Sequence, residues 1–196
     1  MPSPRRIILA STSRYRRALL ERLGLAFDCA DPQTDETVLP GESGATTALR
    51  LAEAKARAVA ARFPQALIIG SDQVASCGGL RLDKPGNHDN AVHQLTAMSG
   101  KTARFDTAVA LLDAASGKVG TQVVACEVTF RQLGTQQIER YLRLEQPYDC
   151  AGSAKIEGLG ITLVERIETG DPTSLIGLPL IALTQLLADA GVPVLG

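Results

Sequence analysis

The chain has 196 residues, 45% hydrophobic and 21% charged, an ordinary globular composition with length enough for one sizeable core. Its formal net charge of −1 provides no global positive field to hold a nucleic-acid polymer. The four cysteines, Cys29, Cys77, Cys126 and Cys150, stand far apart with no C-x-x-C pair. That argues against a zinc ribbon or a disulfide scaffold and fits free thiols in a reducing cytosol.

Arg5-Arg6 precede an apolar run that breaks at Ser11, short of the roughly 7–15 residues of a signal-peptide core. No later stretch approaches the roughly 18 consecutive apolar residues of a membrane span. A protein that stays in the cytoplasm is expected. Residues 6–10 (RIILA) predict a buried strand, and Ser11-Thr12-Ser13 a polar turn. Residues 14–23 predict a helix with Ala18, Leu19, Leu20 and Leu23 on one face and Gly24 as its stop. Residues 25–29 read as a short strand, followed by a loop rich in Asp, Glu, Pro and Gly over 31–43.

The strongest helix signal covers residues 46–63, alanine-rich with a stripe through Leu49, Ala52, Ala56 and Val59. Residues 66–70 (ALIIG) predict a second apolar strand ending at Ser71-Asp72-Gln73. Gly78-Gly79 signal a hairpin, and 90–98 a helix closed by Ser99-Gly100. Residues 102–112 and 120–133 alternate as two antiparallel strands around Ala115-Ser116-Gly117. A helix over 136–144, a strand over 160–166 and a final amphipathic helix over 178–190 complete the chain. With no repeat, low-complexity tract or linker, the expectation is one α/β domain over residues 1–196, a mixed central sheet flanked by helices.

Several polar groups interrupt this pattern. A helix N-terminus after a strand is an anion site, and Ser11, Ser13, Arg16 and its neighbouring arginines would strengthen phosphate binding there. The same residues also suit an ordinary serine N-cap with solvated arginines. No G-x-x-x-x-G-K-[ST] is present, so this is not a Walker loop. Asp72, after a strand, lies where α/β sheets place ligands, or it caps a turn. Glu36 is a second acidic candidate, on a loop of the length that is often functional. Lys55 interrupts the alanine-rich helix, where a solvated lysine is also natural, and Lys84-Pro85 could be a turn. His88 and His93 both fall in a polar helical stretch. Any catalytic metal is therefore expected to take oxygen ligands, as Mg²⁺ or Mn²⁺ do. No G-x-S-x-G elbow or Cys-His pair marks a covalent nucleophile. The inventory suits phosphoanhydride hydrolysis, with cations offsetting oxyanion charge while a carboxylate activates water.

The stretches IILASTSRYRRALLERLGL, DET, AEAKA, LIIGSDQV, Lys84-Pro85, CAGSAKIEGLGITLVERI and DPTSLIGLPL, in that order, resemble the Maf family of nucleoside triphosphate pyrophosphatases. The resemblance spans nearly the whole chain. It implies a fold like that of inosine triphosphate pyrophosphatases, a divalent metal near Asp72 and Glu36, and a homodimer. It also implies release of pyrophosphate from an NTP, with Asp72 as proton acceptor and Ser11, Ser13 and Arg16 on the triphosphate. Lys55 and Lys84 correspond to phosphate-facing lysines.

Gln73 and Glu157 resemble the subgroup acting on 7-methyl-GTP rather than the one acting on dTTP and UTP, which has GADT where this chain has GSDQ. N7-methylation makes guanine cationic, which favours an aromatic face and a nearby carboxylate; Tyr15 and Glu157 are the residues expected to supply them. The subgroup typically has tryptophan after proline where this chain has Tyr15 after Arg14, and Tyr15 could equally pack on its own helix. The competing readings are a dTTP/UTP pyrophosphatase and a nucleotide-binding regulator of septum formation or cell division.

Overall fold

The computed structural model describes residues 5–196 and divides them into two compact units. The first unit comprises the chain up to Asp72, Thr107–Val124 and Asp171–Gly196; the second comprises Gln73–Asp106 and Ala125–Gly170. Seven strands form one sheet in the order β2-β1-β3-β5-β6-β7, with β4 paired to β3. The strands are β1 Ile7–Ala10, β2 Phe27–Ala30, β3 Leu67–Cys77, β4 Leu80–Arg81, β5 Thr102–Asp113, β6 Val119–Phe130 and β7 Val164–Thr169. The helices are α1 Arg14–Glu21, α2 Gly44–Ala60, α3 His88–Met98, α4 Thr135–Glu145 and α5 Leu180–Asp189. β1 runs parallel to β2 and β3, whereas β3–β4 and β6–β7 are antiparallel, so the sheet is mixed as expected.

In the first unit, side chains of parallel strands alternate between two covered faces. Ile7 and Leu9 of β1, with Leu67 and Ile69 of β3, join Leu19 and Leu20 of α1 and Leu183 and Leu187 of α5 in one cluster. Ile8, Ala10 and Ile68, pointing the other way, join Ala56 and Val59 of α2. Two burying faces explain why these strands read as unbroken apolar runs.

In the second unit, α3 packs against α4, and Leu95, Met98, Ile138 and Leu142 are fully or almost fully buried. The Gly78-Gly79 hairpin forms as expected, with Cys77 paired to Leu80 and both glycines at positive φ. β7 registers Val128 against Ile167, with a bulge at Thr129/Phe130.

Most expected boundaries shift by one to three residues, and two move further. β3 does not end at Gly70 but continues to Cys77, because Ser71 and Asp72 find polar partners inside the protein and need no water. The strand expected over 160–166 begins at Val164; Leu159–Leu163 form a 3₁₀ turn, since Gly158 and Gly160 fold back on the Lys155 carbonyl. Among the described residues no helix is long and apolar enough to cross a membrane.

Candidate functional site

The alternation along β3 decides what Asp72 meets. Ile68 faces α2, so Gly70 and Asp72, two and four residues further on, face the same way. Asp72 therefore lies within a strand, not just beyond the tip of one as expected. α2 buries Ala48, Ala52, Lys55, Ala56 and Val59 along one stripe, and Lys55 is part of it rather than a solvated residue. Its ammonium lies 2.6 Å from Asp72 Oδ1 and 2.6 Å from Glu36 Oε1. Lys55 and Asp72 are only 5% and 6% exposed, whereas Glu36 reaches in from the exposed loop before α2. A buried ammonium is tolerated only when paired and hydrogen-bonded, and these two carboxylates meet that need.

The opposite side of β3 carries a second set of contacts. Ser71 Oγ lies 2.8 Å from the Ala108 carbonyl and 2.9 Å from the Gly177 carbonyl, its one proton shared between them. The Gly177 carbonyl also accepts from Arg16 Nε at 2.8 Å. Burial lowers the Arg16 pKa from its usual value, and the charges of Asp72 and then Glu36 raise it again. Even so, a guanidinium stays protonated. Arg16, Lys55, Asp72 and Glu36 thus form one electrostatic group within the first unit.

Segment 171–177 sets the position of that carbonyl. Buried Asp171 accepts from Thr173 N at 3.0 Å, Thr173 Oγ1 at 2.6 Å and Ile181 N at 2.7 Å. Thr107 Oγ1 donates to the Ser174 carbonyl at 2.9 Å. Gly177, at φ +117°, turns the chain out of the 3₁₀ turn Ser174–Ile176, a conformation few other residues adopt. None of Ser71, Asp171 or Gly177 stood out in the sequence as a site residue. The available signal was D-P-T-S followed by a glycine, a side-chain-stabilised turn.

At the start of α1, Ser13 is the N-cap and accepts from Arg16 N at 3.4 Å, while Ser11 Oγ accepts from Ser13 N at 3.1 Å. Both hydroxyls therefore order the turn, whereas Arg16 is not a solvated arginine but bonds the Gly177 carbonyl. Their place at a helix N-terminus also leaves them where an anion is favoured. Arg14 lies over the Tyr15 ring at 4.8 Å and donates to its hydroxyl at 2.7 Å.

The described residues contain no group of three or more His, Cys, Asp or Glu that could hold an ion. Asp72 Oδ1 and Glu36 Oε1, each 2.6 Å from one nitrogen, are at most twice that distance apart. Carboxylate oxygens are the hard donors that a divalent cation of the Mg²⁺ kind takes, and here both are engaged by the Lys55 ammonium.

The sequence profile of the family described as Maf-like protein matches residues 6–190. The chain belongs to the Maf family. Among curated relatives, a protein of Polaromonas sp. named 7-methyl-GTP pyrophosphatase is 56% identical over 191 residues, covering 97% of this chain and 87% of the relative. Proteins of the same name from Thiobacillus denitrificans and Burkholderia pseudomallei are 56% and 55% identical, covering 96% and 99% of this chain and 94% and 92% of theirs. Solved structures with some likeness include Ham1 proteins of Staphylococcus aureus and Coxiella burnetii. These are 12% and 13% identical with TM-scores of 0.45 and 0.42, covering 65% and 66% of this chain and 73% and 75% of theirs.

In this Maf-family chain the expected site residues divide between the units. Ser11, Ser13, Tyr15, Arg16, Glu36, Lys55 and Asp72 belong to the first; Gln73, Lys84 and Glu157 belong to the second. Lys84 is exposed on a loop secured by Gln94 Nε2 to the Asp83 carbonyl, Asn90 Nδ2 to the Pro85 carbonyl and Gly86 N to the Tyr148 carbonyl. His88, from the polar helical stretch, is half-buried, 3.1 Å from the Tyr148 hydroxyl and 3.2 Å from Glu139.

Proposed function

We propose that the protein hydrolyses a nucleoside triphosphate, 7-methyl-GTP before others, to the monophosphate and pyrophosphate. The observation that carries this reading is the buried Asp72–Lys55 pair, joined by Glu36 from an exposed loop and beside Arg16, two carboxylates and two cations in one place. Its support on the substrate side is the name shared by relatives 53–56% identical over nearly the full chain. The dTTP/UTP and regulator readings have no comparable support.

In this mechanism Asp72 takes a proton from a water molecule, whose oxygen attacks the α-phosphorus. The bond from that phosphorus to the bridging oxygen of the β-phosphate breaks, and pyrophosphate leaves. Arg16, Lys55 and Lys84 offset charge on the phosphate oxygens, with Ser11 and Ser13 as hydrogen-bonding partners. A divalent cation, Mg²⁺ or Mn²⁺, held by Asp72 and Glu36 would polarise the phosphoryl group when bound. Tyr15 offers a ring face to the cationic purine. Gln73 and Glu157 read its polar edge, with Glu157 accepting from N1–H and the amino group. Residues 1–196 act as one functional domain, in the cytoplasm and as a homodimer.

The test is pyrophosphate release from equal concentrations of 7-methyl-GTP, GTP, UTP and dTTP with Mg²⁺ or Mn²⁺, for the wild type and Asp72→Asn. Asp72→Asn is expected to lower turnover by about 10²–10⁴-fold, the usual worth of a positioned general base. Near-normal release by this variant sinks the mechanism, and a preference for UTP or dTTP sinks the base assignment.

A further inference from the structure

Glu157 sits in a short closed turn. The Lys155 carbonyl accepts from Gly158 N at 3.1 Å and from Gly160 N at 3.0 Å, so residues 155–160 fold around one oxygen. Glu157 is exposed, and its carboxylate has no hydrogen-bonding partner among the described residues. Two residues away, Lys155 carries an ammonium that could neutralise it.

Two side chains of α4, one turn apart, control this segment. The buried Tyr141 hydroxyl accepts from Lys155 N at 3.0 Å and donates to the Ser153 carbonyl at 3.1 Å. Glu145, the last residue of α4, holds Lys155 Nζ at 2.5 Å with one carboxylate oxygen and Leu159 N at 2.7 Å with the other. It thereby grips both sides of the turn that carries Glu157. Its carboxyl pKa is lowered from the usual value, by the Lys155 ammonium first and the Leu159 N–H second. A Cβ on Gly158 would lie 2.6 Å from the Glu145 carboxylate, so a side chain there would push that carboxylate aside.

We propose that Glu145 is a positioning residue for base selection: by holding Lys155 and Leu159 it keeps the Lys155 ammonium off Glu157 and leaves that carboxylate charged toward a cationic purine. This rests on the reading that Glu157 faces the base. Glu145 touches no substrate and acts through its two neighbours. Without its charge, Lys155 is released to pair with Glu157, and the advantage of a methylated, cationic guanine over a neutral one falls.

The experiment measures kcat and KM on 7-methyl-GTP and GTP for the wild type, Glu145→Gln, Glu157→Gln, Lys155→Met and the Glu145→Gln/Lys155→Met double variant. Glu145→Gln keeps the size of the side chain and an acceptor for Leu159, but not the charge that holds Lys155. It is expected to reduce the 7-methyl-GTP to GTP preference roughly tenfold, through KM, with kcat on GTP within about threefold of wild type. Adding Lys155→Met is expected to restore the preference, an effect a merely structural role does not produce.

An unchanged preference in Glu145→Gln beside a collapsed one in Glu157→Gln overturns the inference and leaves the base reading standing. An unchanged preference in Glu157→Gln removes the base reading and the inference with it. Lys155→Met alone is expected to keep the wild-type preference; a tenfold fall there overturns the inference even if Glu145→Gln does not fold.

Discussion

Replacing Gly70 with alanine asks whether the close approach of α2 to β3 is what brings Lys55 to Asp72. The added Cβ would lie 2.0 Å from the Ala52 carbonyl oxygen and 2.9 Å from the Ala56 nitrogen, the two ends of one helical hydrogen bond. Neither group is the end of a flexible side chain, so the helix itself must retreat by roughly 1 Å or more to restore ordinary contact. Overpacking of this kind costs about 1–3 kcal/mol and occasionally more, and a clash with backbone belongs at the upper end. At about 2–4 °C per kcal/mol for a chain of this size, Gly70→Ala is expected to lower Tm by roughly 6–12 °C. The suitable control is Gly170→Ala, where no atom lies within 4 Å of the added carbon and φ is not positive; its Tm should move by about 1 °C at most. Lys55 lies between the two displaced residues, so its 2.6 Å contact with Asp72 opens as α2 retreats. Misplacing a catalytic group by about 1 Å can cost 10²-fold in rate. Thermal melts and pyrophosphate release, both read well below the lowered Tm, check the two halves. A Tm within 2 °C of wild type refutes the packing argument. A lowered Tm with unchanged turnover refutes its link to the catalytic pair.

Arg16→Lys retains the charge but loses the planar fork and the Nε bond to the Gly177 carbonyl. Steady-state kinetics are expected to show KM for the triphosphate raised roughly tenfold, the worth of about one ordinary hydrogen bond, with kcat less affected. A wild-type KM rules out Arg16 as a triphosphate ligand. Glu42 tests pH dependence away from the site. Its hydrogen bonds to Arg50 above all, then to Leu39 N and Thr47, depress its pKa to about 2. A folded-state pKa below the unfolded value of about 4.5 means stability that is complete above pH 4.5 and disappears as pH falls through about 2. Glu42→Gln should therefore be less stable than wild type at pH 6, with the gap in urea midpoint closing toward pH 2.5; a gap that widens in acid contradicts the assignment.

The helices and inner strands were legible because apolar periodicity and packing agree. RIILA and ALIIG are covered on both faces, and fully covered strands have no polar alternation to disguise them. The boundary of β3 was not legible. A Ser-Asp-Gln run after ALIIG has the look of a strand end, and only a lysine on a helix remote in sequence makes a buried aspartate admissible there. Nor was the 3₁₀ turn over Leu159–Leu163, because glycine at Gly160 is required by its approach to the Lys155 backbone, where an added Cβ would lie 2.4 Å from the carbonyl oxygen, a contact with no periodic signature.

For the site, the clue nearest to hand was the register of Lys55. Ala48, Ala52, Lys55 and Val59 follow helical spacing, so a lysine lay on the face that the alanines bury. Taking the stripe through Leu49 instead of Ala48 rotated that face and let Lys55 pass as solvated. With the correct rotation a buried lysine demands a carboxylate, and β3 offers one at the parity of Ile68 and Gly70, while Ser71 at the opposite parity turns to the Gly177 carbonyl shared with Arg16. The charges at residues 16, 36, 55 and 72 are then consequences of two periodicities meeting across one packed face. The carbonyl contacts of residues 171–177 are not such a consequence: they depend on a turn built by Asp171 and Thr173, whose partners lie up to ten residues away.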